Sequence, residues 1–289
     1  MKIVGWLSGV WLASLAGAFG QVTVEVVLEQ EQFLPGESLP VAVRITNHSG
    51  QTLRLGGENE WLSFAVESRD GFVVARTGEP PVQGEFALES SKRAIKRVDL
   101  APYFNLAREG RYTARATVKI PQWEVQYASD PQPFDIIRGA RLWEREFGVP
   151  QAATTNAPPE LRKYILQQAN YLKNQLKLYL RLTDASESRI FRVLALGPMV
   201  SFGRPEPQVD RQSNLHVLYQ YGKTTFNYTV INPDGEVLLR QTYGVGATRP
   251  RLQVDADGRF GVTGGVRRVT ADDVPAPKPA AADGKAARP

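Results

Sequence analysis

The sequence predicts an all-β protein made of two modules: a β-sandwich over residues 21–139, then a second antiparallel β domain over residues 160–270. Apolar and polar residues alternate with a period of two in many short runs, as in half-buried strands. Turns rich in glycine, proline and aspartate separate these runs at intervals of about 8–12 residues. The 289-residue chain has no cysteine, so each module needs a core of its own rather than disulfides.

Residues 1–20 have the features of a secretory signal. Lys2 is followed by an apolar run over residues 3–18, and small residues before Gln21 fit a cleavage site. An uncleaved membrane anchor is the alternative, because the run is near the ~17-residue minimum for a span. No second apolar run of ~18 residues follows. We therefore expect an exported protein, periplasmic or extracellular, with no transmembrane segment after cleavage.

The first strands of the sandwich follow from alternation. Residues 22–28, 39–47 and 61–68 each place apolar side chains at every second position. The turn at residues 69–71 then predicts a hairpin whose second arm covers residues 72–75.

The end of this module carries a more specific signal. In Gly110-Arg111-Tyr112 a glycine turn is followed at once by a tyrosine and an alternating run, which predicts a tyrosine corner with the hydroxyl bonded to upstream backbone. Together with Pro35-Gly36-Glu37 and residues 41–47, this makes about 115 residues resemble the immunoglobulin-like domains of exported bacterial proteins, some of which lie beside exported proteases. The resemblance implies the fold and leaves the function open. The Cys…Trp…Cys core of antibody domains is missing.

Residues 140–159 are interpreted as a linker that begins as a short strand or helical turn and ends in a small, proline-rich stretch. Residues 160–182 fit either an amphipathic helix or a hairpin turning at Lys173-Asn174. The clean alternation of residues 176–182 favours the hairpin.

Two later hairpins resemble those of β-propeller blades. Their turns are Asn232-Pro233-Asp234-Gly235 and Asp255-Ala256-Asp257-Gly258, with glycine in the left-handed position. A propeller needs at least ~4 blades of ~40 residues, so we expect a compact sandwich or meander, with a ring closed by several copies as the alternative. The composition of residues 271–289 predicts a disordered tail, and truncation after Thr270 is expected to leave stability unchanged.

The sequence contains no motif of a common enzyme class. His-Glu-x-x-His and Gly-x-Ser-x-Gly are absent, and there are two histidines. Asp255 and Asp257 are the best cation ligands, but the hairpin turn accounts for both. His216 is expected to be a partly buried histidine bonded to Asp210 or Ser213, with a general base as the alternative. We predict no catalytic, metal-binding or cofactor-binding residue and no cofactor.

The charge is unevenly divided. Residues 21–139 hold 13 basic and 16 acidic side chains, whereas residues 140–270 hold 18 and 11. Such an excess can attract an acidic partner. An unknown envelope protein or a polyanionic polymer is the expected partner, and nucleic acid is not, because no aromatic residues interleave with the arginines. The candidate basic surface consists of four arginines that flank the last hairpin: Arg249, Arg251, Arg267 and Arg268.

These observations predict a non-enzymatic exported envelope protein with a binding or scaffolding role. One alternative is an inhibitor or accessory module of an exported protease, which would insert a rigid segment such as Glu79-Pro80-Pro81-Val82 into the protease cleft. Another is a carboxylate-dependent hydrolase, because paired acids on a β-scaffold leave little trace in one sequence.

Overall fold

A computed structural model describes residues 21–57, 60–149 and 160–275. Within these ranges the protein is all-β, as predicted, with short 3₁₀ turns at Ala101–Tyr103 and Pro121–Trp123. The predicted signal, residues 150–159 of the predicted linker and residues 276–289 lie outside the described residues. No helix in the described part of the chain is both long and apolar enough to cross a membrane.

The first module contains ten strands: β1 (Val22–Leu28), β2 (Gln32–Phe33), β3 (Pro40–Asn47), β4 (Leu53–Leu55), β5 (Leu62–Ser68), β6 (Phe86–Leu88), β7 (Arg93–Asp99), β8 (Gly110–Ile120), β9 (Val125–Ala128) and β10 (Gln132–Ile136). One sheet has the order β1-β3-β7. The other has the order β2-β10-β8-β5, with β9 also on β8, and β4 and β6 form a separate pair. The side chains between the two main sheets form one core, as expected for a sandwich.

Alternation along β3 and β8 supplies the centre of this core. Val41, Val43 and Ile45 are completely buried, and so is Tyr112. The Tyr112 hydroxyl donates to the Arg108 carbonyl at 2.5 Å. The predicted tyrosine corner is therefore confirmed.

The predicted strand over residues 72–75 is wrong, because the preceding turn is fixed to β8. Asp70 accepts hydrogen bonds from the Arg111 backbone N–H at 2.7 Å and from its guanidinium, and Arg69 N–H donates to the Arg111 carbonyl. Phe72 packs edge-on against Tyr112 at 5.6 Å, and Val73 is 93% exposed. The chain therefore crosses the end of the sheet instead of forming a hairpin arm.

The second module contains eleven strands: β11 (Ala140–Gly148), β12 (Leu161–Leu172), β13 (Gln175–Asp184), β14 (Ile190–Met199), β15 (Glu206–Val209), β16 (Leu215–Gln220), β17 (Thr225–Ile231), β18 (Val237–Gly244), β19 (Arg251–Val254), β20 (Phe260–Thr263) and β21 (Val266–Arg268). The strand pair β12–β13 confirms the predicted hairpin. In the first part of the predicted linker the strand alternative is confirmed: Ala140–Gly148 forms β11, which pairs with β12 along its length and so belongs to the second module.

The expected meander is present as two antiparallel sheets, with orders β11-β12-β13-β14 and β15-β16-β17-β18-β21. Their facing side chains, among them Tyr164, Leu180 and Val217, form a common core. The β19–β20 hairpin covers the outer face of the second sheet, where Leu252 and Val262 contact a smaller core.

The first module packs against the outer face of the β11–β14 sheet. Leu34 and Ile137 from the sandwich contact Ala169, Tyr179 and Val193. A backbone hydrogen bond from Glu31 to the Tyr171 carbonyl, 2.9 Å long, joins the modules at the same place. This contact leaves a cleft beside it.

The predicted tail boundary at residue 271 is too early. Val274 exchanges two backbone hydrogen bonds with Arg240 on β18, and Asp273 forms an ion pair with Arg267 at 2.5 Å. These bonds extend the ordered second module by a few residues.

Candidate functional site

A cleft with a volume of about 800 Å³ lies between the two modules. Five consecutive β14 residues, Phe191 to Ala195, line one wall. Side chains on a strand alternate between two faces, so five consecutive residues line a cleft only where it follows the edge of the sheet.

This edge of β14 is unpaired. Among the described residues, β14 forms a ladder with β13 alone. The register shifts near Phe191 and again near Leu196, and Pro198 follows. Bulges and proline are common protections against unwanted strand pairing. They leave a short regular run, Arg192 to Ala195, whose outward N–H and C=O groups face the cleft.

A buried glutamate lies at the floor of the cleft. Glu37 comes from the Pro35-Gly36-Glu37 turn, in which Gly36 has a φ of +83°, and it is 8% exposed. Its carboxylate accepts hydrogen bonds from Gln30 Nε2 and from Leu34 N–H, each at 2.8 Å. Burial raises the pKa of Glu37 above its usual value, although these bonds and the nearby Lys177 oppose the shift.

Lys177 reaches the same place from β13. Its ammonium donates to Gln30 Oε1 at 2.6 Å and lies 4.2 Å from the centre of the Tyr171 ring. Burial lowers the pKa of Lys177, and Glu37 and Glu29 oppose that shift. The Tyr179 hydroxyl is buried beside Glu37 without completing a hydrogen bond of good geometry.

The wall opposite β14 carries a second carboxylate, Asp99. It accepts hydrogen bonds from the Ser38 hydroxyl at 2.7 Å and from the backbone N–H groups of Leu39 and Ala101. Both acids therefore hold turns of the sandwich in place. The cleft offers a free strand edge, one half-buried cation and a mixed polar and apolar wall.

A second, smaller cavity of about 370 Å³ lies beside His216. The His216 ring is buried between Asp210 Oδ2, 3.1 Å from Nε2, and the Tyr228 hydroxyl, 2.7 Å from Nδ1. Phe260 packs on the ring at 4.7 Å. The expectation of a buried, hydrogen-bonded histidine is confirmed, with Asp210 as its partner. Ser213 donates instead to the Gly148 carbonyl.

Around Asp210, burial alone would raise the pKa of the carboxyl. Hydrogen bonds from the Asn214 side chain and backbone and from His216 outweigh this effect and lower the pKa. Both ring nitrogens of His216 are occupied, so the arrangement holds the β15–β16 loop in place.

The four predicted arginines lie around the β18–β21 end of the second module, but two of them are compensated. Arg251 forms an ion pair with Glu206 at 3.2 Å, and Arg267 pairs with Asp273. Arg249 lies over the Phe226 ring at 4.8 Å. Arg268 lies beside Gly244 on the partner strand.

Two other segments singled out in the sequence have structural contacts. Asp255 Oδ1 accepts from the N–H groups of Asp257 and Arg259, so the predicted hairpin turn is confirmed. Val82 accepts a 2.9 Å hydrogen bond from the Trp61 indole, which fixes the end of the 79–82 segment to the sandwich. The described residues contain no group of three or more potential metal ligands among His, Asp and Glu.

Glu37 and Lys177 were not predicted from the sequence. Lys177 alternates with Leu176, Leu178 and Leu180, a pattern typical of a strand with one solvent-exposed face. The alternation of residues along β13 does not reveal that the first module packs against this face of the strand. No protein-family model, curated protein or solved structure matches this chain.

Proposed function

We propose that this is an exported, non-enzymatic envelope protein that binds an extended segment of another polypeptide in the cleft between its modules. The single observation that supports this most is the unpaired edge of β14, which forms a wall of the cleft between the modules. Strand addition to an exposed edge is a recurring mode of peptide recognition, with affinity from backbone hydrogen bonds and specificity from alternate side chains.

The dimensions and chemistry of the cleft favour such a segment over a small metabolite. The free run from Arg192 to Ala195 is long enough for about two pairs of backbone hydrogen bonds. An incoming strand would lie between this run and the wall around Asp99, with Lys177 available to a carboxylate or carbonyl oxygen. Val193 and Leu194 lie on opposite faces of β14, so each favours an apolar residue on its own face of the incoming strand.

Neither alternative function has comparable support. The carboxyl groups of Glu37 and Asp99 already accept hydrogen bonds that hold turns of the sandwich, which favours a structural role for both. The candidate inhibitory segment 79–82 is tied to the sandwich through Trp61. Export rests on the signal-like leader of the sequence alone.

Proline substitutions at Val193 and Leu194 test strand addition. In an antiparallel ladder, successive residues direct their N–H groups to opposite sides. One of these two prolines therefore removes a bond to β13, and the other removes only a donor that faces the cleft. The variant whose proline removes only the cleft-facing donor should stay folded. We expect it to lose binding to peptides that were selected from an unbiased library on the wild-type protein.

Hydrogen exchange supplies an independent measurement. Addition of a selected peptide should slow exchange at the cleft-facing amides between Arg192 and Ala195, while amides of the β7 edge serve as the control. Peptides that bind without protecting β14 would contradict the proposal, as would full binding by both proline variants.

A further inference from the structure

The outward face of the β1-β3-β7 sheet carries a basic surface far from the region predicted in the sequence. The register of the β1–β3 and β3–β7 ladders aligns outward-facing residues of the three strands in three rows. The rows are Thr23–Thr46–Arg93, Glu25–Arg44–Ile95 and Val27–Ala42–Arg97. Three arginines thus surround a single acid, in a module whose net charge is negative.

The three guanidinium groups are uncompensated. Within the described ranges, Arg44, Arg93 and Arg97 form no ion pair, although Glu25 lies directly across from Arg44. Arg93 donates from Nε to the Thr46 hydroxyl at 3.3 Å, which directs its side chain along the sheet. Like charges on diagonal cross-strand neighbours repel, so this arrangement has a stability cost that an anionic ligand would relieve.

The predicted surface in the second module differs in this respect. There, Arg251 and Arg267 already have carboxylate partners, and Arg249 is stacked on Phe226. An anion would have to displace those contacts. On the sandwich face, an anion would meet arginines that have no carboxylate partner, and Arg93 makes a single hydrogen bond, to the Thr46 hydroxyl.

We infer that Arg44, Arg93 and Arg97 form a binding surface for a linear polyanion bearing phosphate or carboxylate groups. Arg93 and Arg97 are four residues apart on one strand, or roughly 13 Å, and Arg44 lies between them on the next strand. Arginine binds such groups through two parallel hydrogen bonds. A polymer fits better than a membrane, because Ile95, 48% exposed, is the one large apolar residue exposed among the nine positions.

The test measures binding of the full chain to long-chain inorganic polyphosphate, with neutral dextran as the blank. We expect Arg44→Gln/Arg93→Gln/Arg97→Gln to bind about tenfold more weakly at roughly 0.1 M salt. For this variant, the slope of log K against the logarithm of the salt concentration should be shallower by about 2, since about three phosphate contacts are lost. The matched control, Arg249→Gln/Arg251→Gln/Arg268→Gln, has the same net charge and should bind like the wild type.

A second variant changes affinity in the opposite direction. Glu25→Gln removes the one acid among the nine outward positions and should strengthen binding to polyphosphate by about two- to threefold. Equal loss in both triple variants would show nonspecific charge attraction and would overturn the inference. So would unchanged binding by the first triple variant, or tighter binding to phosphatidylglycerol vesicles than to polyphosphate. The surface adjoins the cleft, because the next row of the same sheet includes Pro40 and Asp99, which line it. None of the three arginines lines the cleft, and each experiment uses its own variants and ligand, so the peptide experiments do not decide its outcome.

Discussion

The Lys177 ammonium donates to Gln30 Oε1 at 2.6 Å, although the two residues are 147 positions apart and belong to different modules. Gln30 in turn donates to Glu37, so the cation of the second module and the acid of the first share one neutral side chain. This chain of bonds ties the modules together at the floor of the cleft. Its members are half-buried or buried, so removing Lys177 leaves the Gln30 carbonyl oxygen without the donor that the structure gives it.

Lys177→Met should lower the free energy of unfolding by about 1–3 kcal/mol, because Gln30 and Glu37 stay buried while their cationic neighbour is lost. Equilibrium unfolding in urea measures the change. Lys173→Met, in the exposed turn of the same hairpin, is the control and should fall within about 0.5 kcal/mol of the wild type. Equal stability of the two variants would mean that the bond does not couple the modules.

Glu37→Gln should change how stability depends on pH. The raised pKa of Glu37 means that the folded state keeps its proton while the unfolded chain releases it. Stability is therefore lost as pH rises from the ordinary value of 4.5 through the folded value. The glutamine variant lacks this loss, so its unfolding free energy relative to the wild type should improve over that window. Unfolding series between about pH 4 and 8 test this, and a constant difference would contradict it.

Tyr112→Phe should destabilise the sandwich by about 1 kcal/mol or more, because the partly buried hydrogen bond from the Tyr112 hydroxyl to the Arg108 carbonyl is lost. The stacking of the ring on Phe134, at 5.4 Å, is preserved by phenylalanine. Tyr127→Phe, on the half-exposed strand β9, is the matched control. If both variants melt at the same temperature, the corner hydrogen bond contributes nothing measurable.

The contrast between predicted and missed features has a physical origin. Tyr112 and the β12–β13 hairpin were predictable because local periodicity and turn residues decide them. The link from Glu37 through Gln30 to Lys177 was not predictable. It depends on the first module packing onto β13, whose sequence alternates as it would if that face were exposed to solvent. Similarly, the uncompensated arginines on β3 and β7 are invisible in net charge, since register alone brings them together.

Export makes a direct prediction about the N-terminus. If residues 1–20 are a cleaved signal, protein recovered from the envelope or medium should begin at or within a few residues of Gln21. N-terminal sequencing of that material measures this. Gln21 directly precedes β1, whose pairing with β3 starts at Val22, so cleavage there leaves the sandwich complete. Recovery of an intact leader in a membrane fraction would favour the anchor instead.

Truncation after Thr270 should lower stability, contrary to the expectation from composition. It removes Asp273, which leaves Arg267 without its carboxylate, and Val274, which exchanges two hydrogen bonds with Arg240. We expect a loss of about 1–2 kcal/mol, or a melting temperature lower by a few degrees. The chain truncated after Pro275 keeps these contacts and should melt like the full chain.

Asp273→Asn separates the two contributions, because it removes the charge and keeps the backbone bridge. Its loss of stability should be smaller than that caused by truncation after Thr270. Equal melting of the two truncated chains would show that residues 271–275 add nothing to the second module.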